Sequence, residues 1–479
     1  MMTVNNQTNR GRALLLSWVL AGLFSGCVGT TPHTQYRTHV PNPSVSGDPL
    51  GSFVTLTNLP DAAFTDRVDN RMVENYAEFL FSVVEFDDQG KLWDKRQLDA
   101  LHQMAQDDVA QNNGAVLVTF VHGWDENAQV NNGTVWAFRR LLYQLYKVET
   151  NMDASSGSPR RIVGVYVGWR GRSQRLPLVK WLTFWNRKNT AHKIGRGDMD
   201  ELLVHLDDLK TELSKPSEAN RRATRLVVVG HSFGGAIVYS ALDNILKEST
   251  LSSLVPYERG EIKTPRRIRA GAADLVVLVN PAFEGLLYSG LAEATAGTKQ
   301  YNPRQTTVLM TIGAENDQAT GIAFPAGQFF PSLVQNFKPN SQERALSITS
   351  LGHCTNYFTH HLFSSTGTNA TPETAAARRY KPLNLKPWQR PVAPSTETVD
   401  WTQLVPPDHE WALEPWPKGT VRPKNEPFMV VTASKAVVDN HTGIWGKTLL
   451  EFLRDFIVAQ DHLQRHLDRT IPASSDEKR

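Results

Sequence analysis

The sequence predicts an α/β fold with a mostly parallel central sheet flanked by helices. Segments rich in Val, Ile and Leu, with the length of buried strands, alternate with segments whose apolar residues have helical spacing. Strands separated by helices pair in parallel, because a parallel neighbour requires a long crossover connection. One strand-to-helix junction contains Gly230-His231-Ser232-Phe233-Gly234, a serine flanked by glycines. The same pattern that predicts the fold therefore also predicts a candidate chemical site.

The folded domain is predicted over residues 76–460. Each predicted strand is a run of β-branched or aromatic residues, and each predicted helix has apolar residues at three- and four-residue intervals. Strands are expected at 76–86, 114–121, 162–168, 226–229, 274–280, 306–312, 345–351 and 428–432. Helices are expected at 91–112, 135–148, 198–213, 235–247 and 445–458. The polar residues 461–479 are predicted to form a tail without fixed structure.

Two segments interrupt this alternation. Residues 176–196 combine tryptophans with basic residues, and the apolar residues at 178, 181, 182 and 185 fit one face of a helix. We favour a helix packed on the body of the fold over a lid or a lipid-facing helix. Residues 324–427 are rich in Pro, Asn and Thr. They form a long excursion before the last strand, and this excursion is a candidate partial cap over the site.

Composition excludes some partners. The chain has 51 Lys and Arg against 48 Asp and Glu, with no basic block, so the sequence predicts no nucleic-acid partner. A chain of 479 residues can bury one large α/β domain with insertions, or two domains. The oligomeric state does not follow from the sequence.

The N-terminus carries a candidate export signal. Arginines precede an apolar run at 13–24, which ends in Ser25-Gly26-Cys27 and is too short for an ordinary membrane span. This pattern resembles a bacterial lipoprotein signal, with residues 1–26 removed and Cys27 lipidated. An uncleaved anchor or a plain secretory signal are the alternatives, and each exports the protein. The cysteine is followed by Val28 and not by an aspartate. In this respect the sequence resembles bacterial lipoproteins that are sorted to the outer membrane, where the protein would face the periplasm.

Residues 27–75 are predicted to form a tether and N-terminal extension. They are rich in Pro, Ser, Thr and Gly up to about residue 50, without an apolar period. If Cys27 carries lipid, Cys354 has no cysteine partner within the chain, and no structural disulfide is expected.

Ser232 is the predicted nucleophile. A sharp turn between a strand and a helix strains the serine backbone and leaves room only for nearly side-chain-free residues two positions before and after it. Gly230 and Gly234 occupy these positions. The helix that follows directs its N-terminal amides towards negative charge that develops beside the serine.

A second strand end is a candidate oxyanion site. His122-Gly123-Trp124 directly follows the predicted strand 114–121, and glycine allows the backbone to turn inward. A tetrahedral intermediate needs two backbone amides. We expect these from Phe233 and Trp124, with Gly123 as a less favoured alternative to Trp124.

Phe120-Val121-His122-Gly123-Trp124 and the turn around Ser232 resemble the α/β-hydrolase superfamily, over roughly residues 75–460. In that fold the acid and then the histidine follow the serine, on loops at the carboxyl ends of strands. The second strand after Ser232 leads to Asp317, the preferred acid. Glu315 and Glu284 are alternatives, and Asp317 could instead cap a helix.

Several histidines are candidates for the base. His441 lies between the last short strand and the C-terminal helix, where the hydrolase fold brings its base over the nucleophile. His360 and His353, which follow the strand predicted at 345–351, are alternatives. His231 is expected to point away from the serine.

The resemblance implies a metal-independent serine hydrolase of esterase or lipase type, without a cofactor. Its substrate would be a small-molecule or lipid ester, and its membrane contact a lipid anchor. The same groups could serve an acyltransferase, a thioesterase or an amidase. A protein of another class, a hydrolase-like scaffold that binds envelope components without turnover, is the remaining alternative.

Overall fold

The computed structural model describes residues 34–40, 70–109, 114–151, 159–171, 177–214, 223–253, 257–258, 261–262, 265–296, 301–339, 341–365, 409–423 and 425–471. For 177–185, 257–258, 261–262 and 330 it describes the backbone only. The candidate signal, Cys27 and most of the predicted tether lie outside these residues. Within them, no helix combines the length and apolar character needed to span a bilayer.

A ten-stranded sheet forms the centre of the fold, in the order β1-β2-β4-β3-β5-β8-β9-β12-β10-β11. All neighbours from β2 to β10 are parallel, and the edge strands β1 and β11 are antiparallel. The strands are β1 (Val73–Asn75), β2 (Phe79–Glu85), β3 (Ala115–Val121), β4 (Arg161–Gly168), β5 (Arg225–His231), β8 (Leu275–Val279), β9 (Leu309–Ala314), β10 (His360–Ser364), β11 (Trp411–Pro415) and β12 (Phe428–Ala433). Two further strands, β6 (Tyr257–Glu258) and β7 (Glu261–Ile262), pair separately.

Helices cover both faces of the sheet. They are α1 (Arg96–Val109), α2 (Gly133–Thr150), α3 (Pro177–Gly195), α4 (Met199–Leu213), α5 (Phe233–Ser253), α6 (Gly285–Thr295), α7 (Phe324–Ser332), α8 (Glu343–Ile348) and α9 (Lys447–Thr470). One apolar core lies under α1, α4 and α5, and the other lies under α2 and α9. Because the central strands are buried on both faces, their sequences are continuous apolar runs. The predicted α/β-hydrolase fold is thus confirmed.

One predicted strand is wrong. The segment 345–351 forms most of α8 and the following single turn, Leu351–His353. Ile348 and Leu351 are three residues apart, a spacing that suits a helical turn as well as a strand. Inside α8 only Ser347 is buried. The segment therefore has no apolar face that a position in the sheet would bury.

The excursion contributes to the sheet, which the sequence did not predict. Its residues include β10 and β11, which extend the sheet beyond β12. In β10 only Leu362 is buried, and this mixed composition hides the strand from a search for apolar runs. Residues 366–408, where a cap was also considered, lie outside the described part of the chain.

Part of the predicted tether is built into the fold. Arg37 is fully buried and forms an ion pair of 2.7 Å with Glu74. The backbone amides of Tyr36 and Arg37 donate to the carboxylate of Glu85, at the end of β2. These contacts link residues far apart in sequence, so local composition did not reveal them.

Part of the predicted tail is also structured. Helix α9 continues to Thr470, and Leu463 and Leu467 extend its buried face. Asp461 forms an ion pair of 2.7 Å with Arg160. The predicted domain end at residue 460 was therefore ten residues too early, because the polar residues between the leucines masked the helical period.

Helix α3 lies over α5. Its described second half buries Ala191 and Ile194, and His192 Nδ1 lies 2.8 Å from the hydroxyl of Ser240 on α5. This half packs on the body of the fold, as favoured from the sequence. The side chains at 178, 181, 182 and 185 lie outside the described residues, so the lid interpretation of that half stays a prediction.

Candidate active site

Ser232 lies on a strained turn between β5 and α5. Its φ of 56° is in the left-handed region, which costs energy for a residue with a Cβ. Its amide donates to the carbonyl of Val279 at 3.0 Å, and its carbonyl accepts from Ala282 at 3.0 Å. A Cβ on Gly234 would lie 2.1 Å from the carbonyl oxygen of Val121, so only glycine fits there. The end of β8 and the tight packing on β3 together hold the serine in this conformation.

The structure brings Ser232, His441 and Asp317 together. The hydroxyl of Ser232 lies 2.7 Å from His441 Nε2, and His441 Nδ1 lies 2.7 Å from Asp317 Oδ2. Asp317 follows β9 and His441 follows β12, so both lie at the same edge of the sheet as the serine. Because an ionised carboxylate only accepts, Nδ1 carries the proton and Nε2 accepts from the serine hydroxyl.

Both carboxylate oxygens of Asp317 accept hydrogen bonds. Its Oδ1 accepts from the amides of Ala319 and Thr320 at 2.9 and 3.2 Å, and its Oδ2 accepts from the Thr320 hydroxyl at 2.5 Å as well as from His441. Burial alone would raise the pKa of Asp317, but His441 and the hydrogen bonds from Thr320 outweigh burial and lower it to about 2. The side chain therefore stays ionised near neutral pH.

The alternative bases contact other groups. His353 Nε2 lies 3.0 Å from the hydroxyl of Thr320, and His360 Nδ1 lies 2.9 Å from the hydroxyl of Thr359. Among the described hydrogen bonds, neither histidine reaches Ser232. Of the three histidines, His441 is the one whose ring contacts Ser232 among the described hydrogen bonds.

The alternative acids are also engaged elsewhere. Glu315 Oε1 lies 3.1 Å from His361 Nε2, and Glu284 contacts the ammonium group of Lys188. Both lie in loops after strands of the correct edge, so strand counting alone could not exclude them.

Two residues that were not predicted hold the loop of His441. The carbonyl oxygen of His441 accepts from His231 Nε2 at 2.9 Å and from Asn280 Nδ2 at 3.1 Å. Asn280 Oδ1 in turn accepts from the amide of Ala314 at 2.8 Å. Burial, followed by the nearby charge of His441, lowers the pKa of His231 to about 3, so it is neutral at pH 7 and donates through Nε2.

A sequence signal for Asn280 existed. It is a polar residue that directly follows a continuous apolar run. In the structure its φ is 46°, which is uncommon for a residue other than glycine. The second loop contact, Asn316 Nδ2 to Asp439 Oδ1 at 3.0 Å, joins the Asp317 loop to the His441 loop directly.

The His122-Gly123-Trp124 segment packs against Ser232. A Cβ on Gly123 would lie 2.8 Å from the Cβ of Ser232. His122 is fully buried, and its Nε2 accepts from the amide of Trp169 at 3.0 Å. Burial lowers the pKa of His122 to about 4, so the ring is neutral and fixes the strand end in position. Phe233, the other residue expected to supply an amide donor, is the first residue of α5.

Among the described residues, no group of three or more His, Cys, Asp or Glu side chains could hold a metal ion.

A cavity of about 260 Å³ lies at the amino ends of the strands, where Val116, Arg225 and Leu275 line it. It is at the opposite edge of the sheet from Ser232 and does not serve this site.

Comparisons with known proteins add little to this geometry. No protein-family model and no curated protein sequence matches the chain. An inhibited esterase B from Lactobacillus rhamnosis is 18% identical over 44% of this chain and 59% of its own, with a TM-score of 0.18. An uncharacterized protein from Pseudomonas aeruginosa is 12% identical over 50% of this chain and 42% of its own, with a TM-score of 0.18. Both alignments cover less than two thirds of the matched chain.

Proposed function

We propose that this protein is a serine hydrolase that cleaves carboxylic esters through Ser232, His441 and Asp317. The observation that carries the proposal is the hydrogen-bond chain from the Ser232 hydroxyl through His441 to the Asp317 carboxylate, with both links at 2.7 Å. A serine hydroxyl is a weak nucleophile, and a base with an oriented tautomer is what activates it. The strained φ of Ser232 supports the same role.

The proposed reaction has two halves. Ser232 Oγ attacks the ester carbonyl carbon while His441 Nε2 takes the hydroxyl proton. The tetrahedral intermediate then expels the alcohol, which leaves with the proton from His441, and the acyl group remains on Ser232. In the second half His441 deprotonates a water molecule, which attacks the acyl carbon, and the carboxylic acid leaves Ser232 with its proton restored. Asp317 stays ionised and stabilises the imidazolium in both halves.

The negative oxygen of the intermediate needs amide donors. We assign these to Phe233 and Trp124, with Gly123 as the alternative second donor. Phe233 begins α5, where helix amides point along the axis towards the serine. A Cβ on Gly123 would lie 2.8 Å from the Cβ of Ser232, and this close approach supports the segment after β3 as the source of the second donor.

Turnover of p-nitrophenyl esters tests this proposal. Ser232→Ala and His441→Ala are expected to lower kcat by at least about 1000-fold, because each removes a group that acts on the reacting atoms. His360→Ala is the matched control, since His360 contacts Thr359 and not the serine, and it should retain activity. A wild-type protein without esterase activity would reject the function. Activity lost in His360→Ala but kept in His441→Ala would reject the assignment of the base.

We also propose that the protein is exported and lipid-anchored at Cys27, at the outer membrane facing the periplasm. The support is the signal-like sequence before Cys27. Cys27→Ala should move the protein from the membrane fraction to the soluble fraction of the envelope. Membrane retention of that variant equal to wild type would contradict the anchor and leave the esterase proposal intact.

A further inference from the structure

Thr320 and His353 extend the hydrogen-bond chain beyond the acid. The Thr320 hydroxyl lies 2.5 Å from Asp317 Oδ2, and His353 Nε2 lies 3.0 Å from the same hydroxyl. Thr320 is 2% exposed, so water does not compete for these contacts. The chain Ser232–His441–Asp317 is therefore continued by two more side chains.

Counting protons sets the direction of each bond. The Thr320 hydroxyl has one proton, and the ionised Asp317 can only accept, so that proton points to Asp317 Oδ2. The oxygen of Thr320 must then accept from His353 Nε2. Burial lowers the pKa of His353, although Asp317 opposes this, so the ring is neutral with its one proton on Nε2.

The other tautomer of His353 would change Asp317. With the proton on Nδ1, the bare Nε2 would accept the Thr320 proton, and Asp317 Oδ2 would lose a donor. The negative charge of that oxygen would then act on His441 alone, and the hydrogen bond from His441 Nδ1 would strengthen. His353 is thus placed to set how strongly Asp317 holds the imidazolium.

We propose that His353 is a positioning residue for the triad. Through its Nε2 proton it keeps the hydroxyl of Thr320 directed at Asp317. This inference rests on the proposed serine hydrolase function for its effect on rate, whereas the proton arrangement stands without it. His353 was a candidate base from the sequence, and the structure gives it a different place in the same chain.

Two variants isolate the role. Thr320→Val removes the hydroxyl while keeping the shape, and His353→Leu removes the ring donor. We expect the acid limb of the pH profile of kcat/KM to move to higher pH by about half a unit to one unit in Thr320→Val, because Asp317 loses a donor. His353→Leu should shift it in the same direction by less. His353→Gln, which keeps an N–H at similar reach, should restore the wild-type profile.

A double-mutant cycle separates this role from packing. If His353 acts through the Thr320 hydroxyl, the double variant should match Thr320→Val alone within about twofold. A residue that only fills space would add its own loss in the Thr320→Val background. Additive shifts in the pH profile would overturn the proposal.

Nitrogen NMR of histidine-labelled protein tests the proton arrangement without turnover. His353, identified by its absence in His353→Gln, should give the pattern of the Nε2–H tautomer at pH 7. An Nδ1–H tautomer or a charged ring would contradict the proposal. If the ester assays fail but the Nε2–H tautomer is found, the proposed function is rejected and the proton arrangement is retained.

Discussion

Gly123→Ala provides a sharp test of how closely the site is packed. The new Cβ would lie 2.8 Å from the Cβ of Ser232 and 2.9 Å from Nδ1 of His231. Carbon atoms in contact lie at least about 3.5 Å apart, so the two residues must separate by about 0.7 Å. Neither neighbour is the flexible end of a long side chain, and Ser232 is held by the Val279 carbonyl.

The displacement acts on the reacting hydroxyl. The 2.7 Å bond from Ser232 to His441 would lengthen or lose alignment. A misplacement approaching 1 Å costs about 100-fold in rate, so kcat should fall to about one hundredth. Overpacking should lower the free energy of unfolding by about 1 to 3 kcal/mol, which leaves the variant folded at 25 °C.

The assay is p-nitrophenyl ester turnover together with urea unfolding. Gly290→Ala on α6 is the control, because its Cβ would meet only the flexible end of Lys247, at 3.1 Å. That variant should keep wild-type kcat and stability. If Gly123→Ala kept wild-type kcat, or if both variants lost activity equally, the argument from close packing at Ser232 would be refuted.

Three further substitutions test individual contacts of Asn280, Asp317 and Arg37. Asn280→Ala should lower kcat by about tenfold with little change in KM, because the carbonyl of His441 loses a buried donor. The pKa of Asp317 is lower in the folded chain than its ordinary value, so its contribution to stability is complete above about pH 4 and is lost as the pH falls towards 2. Acid unfolding of Asp317→Asn should therefore depend less steeply on pH over that range. Arg37→Met should lower the free energy of unfolding by about 3 kcal/mol in urea, because Glu74 loses a buried ion-pair partner.

Each of these has a matched control or a contradicting result. Arg96→Ala, in a pair with Asp94 where the arginine is 65% exposed, should leave the urea unfolding midpoint close to that of the wild type, because water screens the pair. Equal losses of stability in Arg37→Met and Arg96→Ala would contradict the stabilising role of the buried ion pair between Arg37 and Glu74. Wild-type kcat in Asn280→Ala would show that the His441 loop is held by other contacts. An unchanged acid profile in Asp317→Asn would contradict the lowered pKa.

The central strands and the turn at Ser232 were predictable because their signals are local. The strand β5 contains a continuous apolar run. Two positions before and after Ser232 only glycine fits, and Gly230 and Gly234 occupy these positions. Asp317 and the loop of His441 were found by counting strands, which works because parallel strands present their carboxyl ends at one edge.

The missed features depend on contacts between distant residues. Arg37 is buried where residues distant in sequence accept its hydrogen bonds, namely Glu74, Glu85 at the end of β2, and Ala128. His231 reaches the carbonyl of His441, 210 positions later, and nothing near His231 in sequence indicates that partner. Strand β10 is mostly polar and takes its place through its backbone, by pairing with β12.

Covalent labelling with a fluorophosphonate, mapped by mass spectrometry, measures the reactivity of the Ser232 hydroxyl. We expect one adduct on the peptide that contains Ser232, no adduct in Ser232→Ala, and much slower labelling in His441→Ala, because the activated hydroxyl is the reactive group. No labelling of the wild-type protein, or labelling that persists in Ser232→Ala, would contradict the proposed role of Ser232 as the nucleophile.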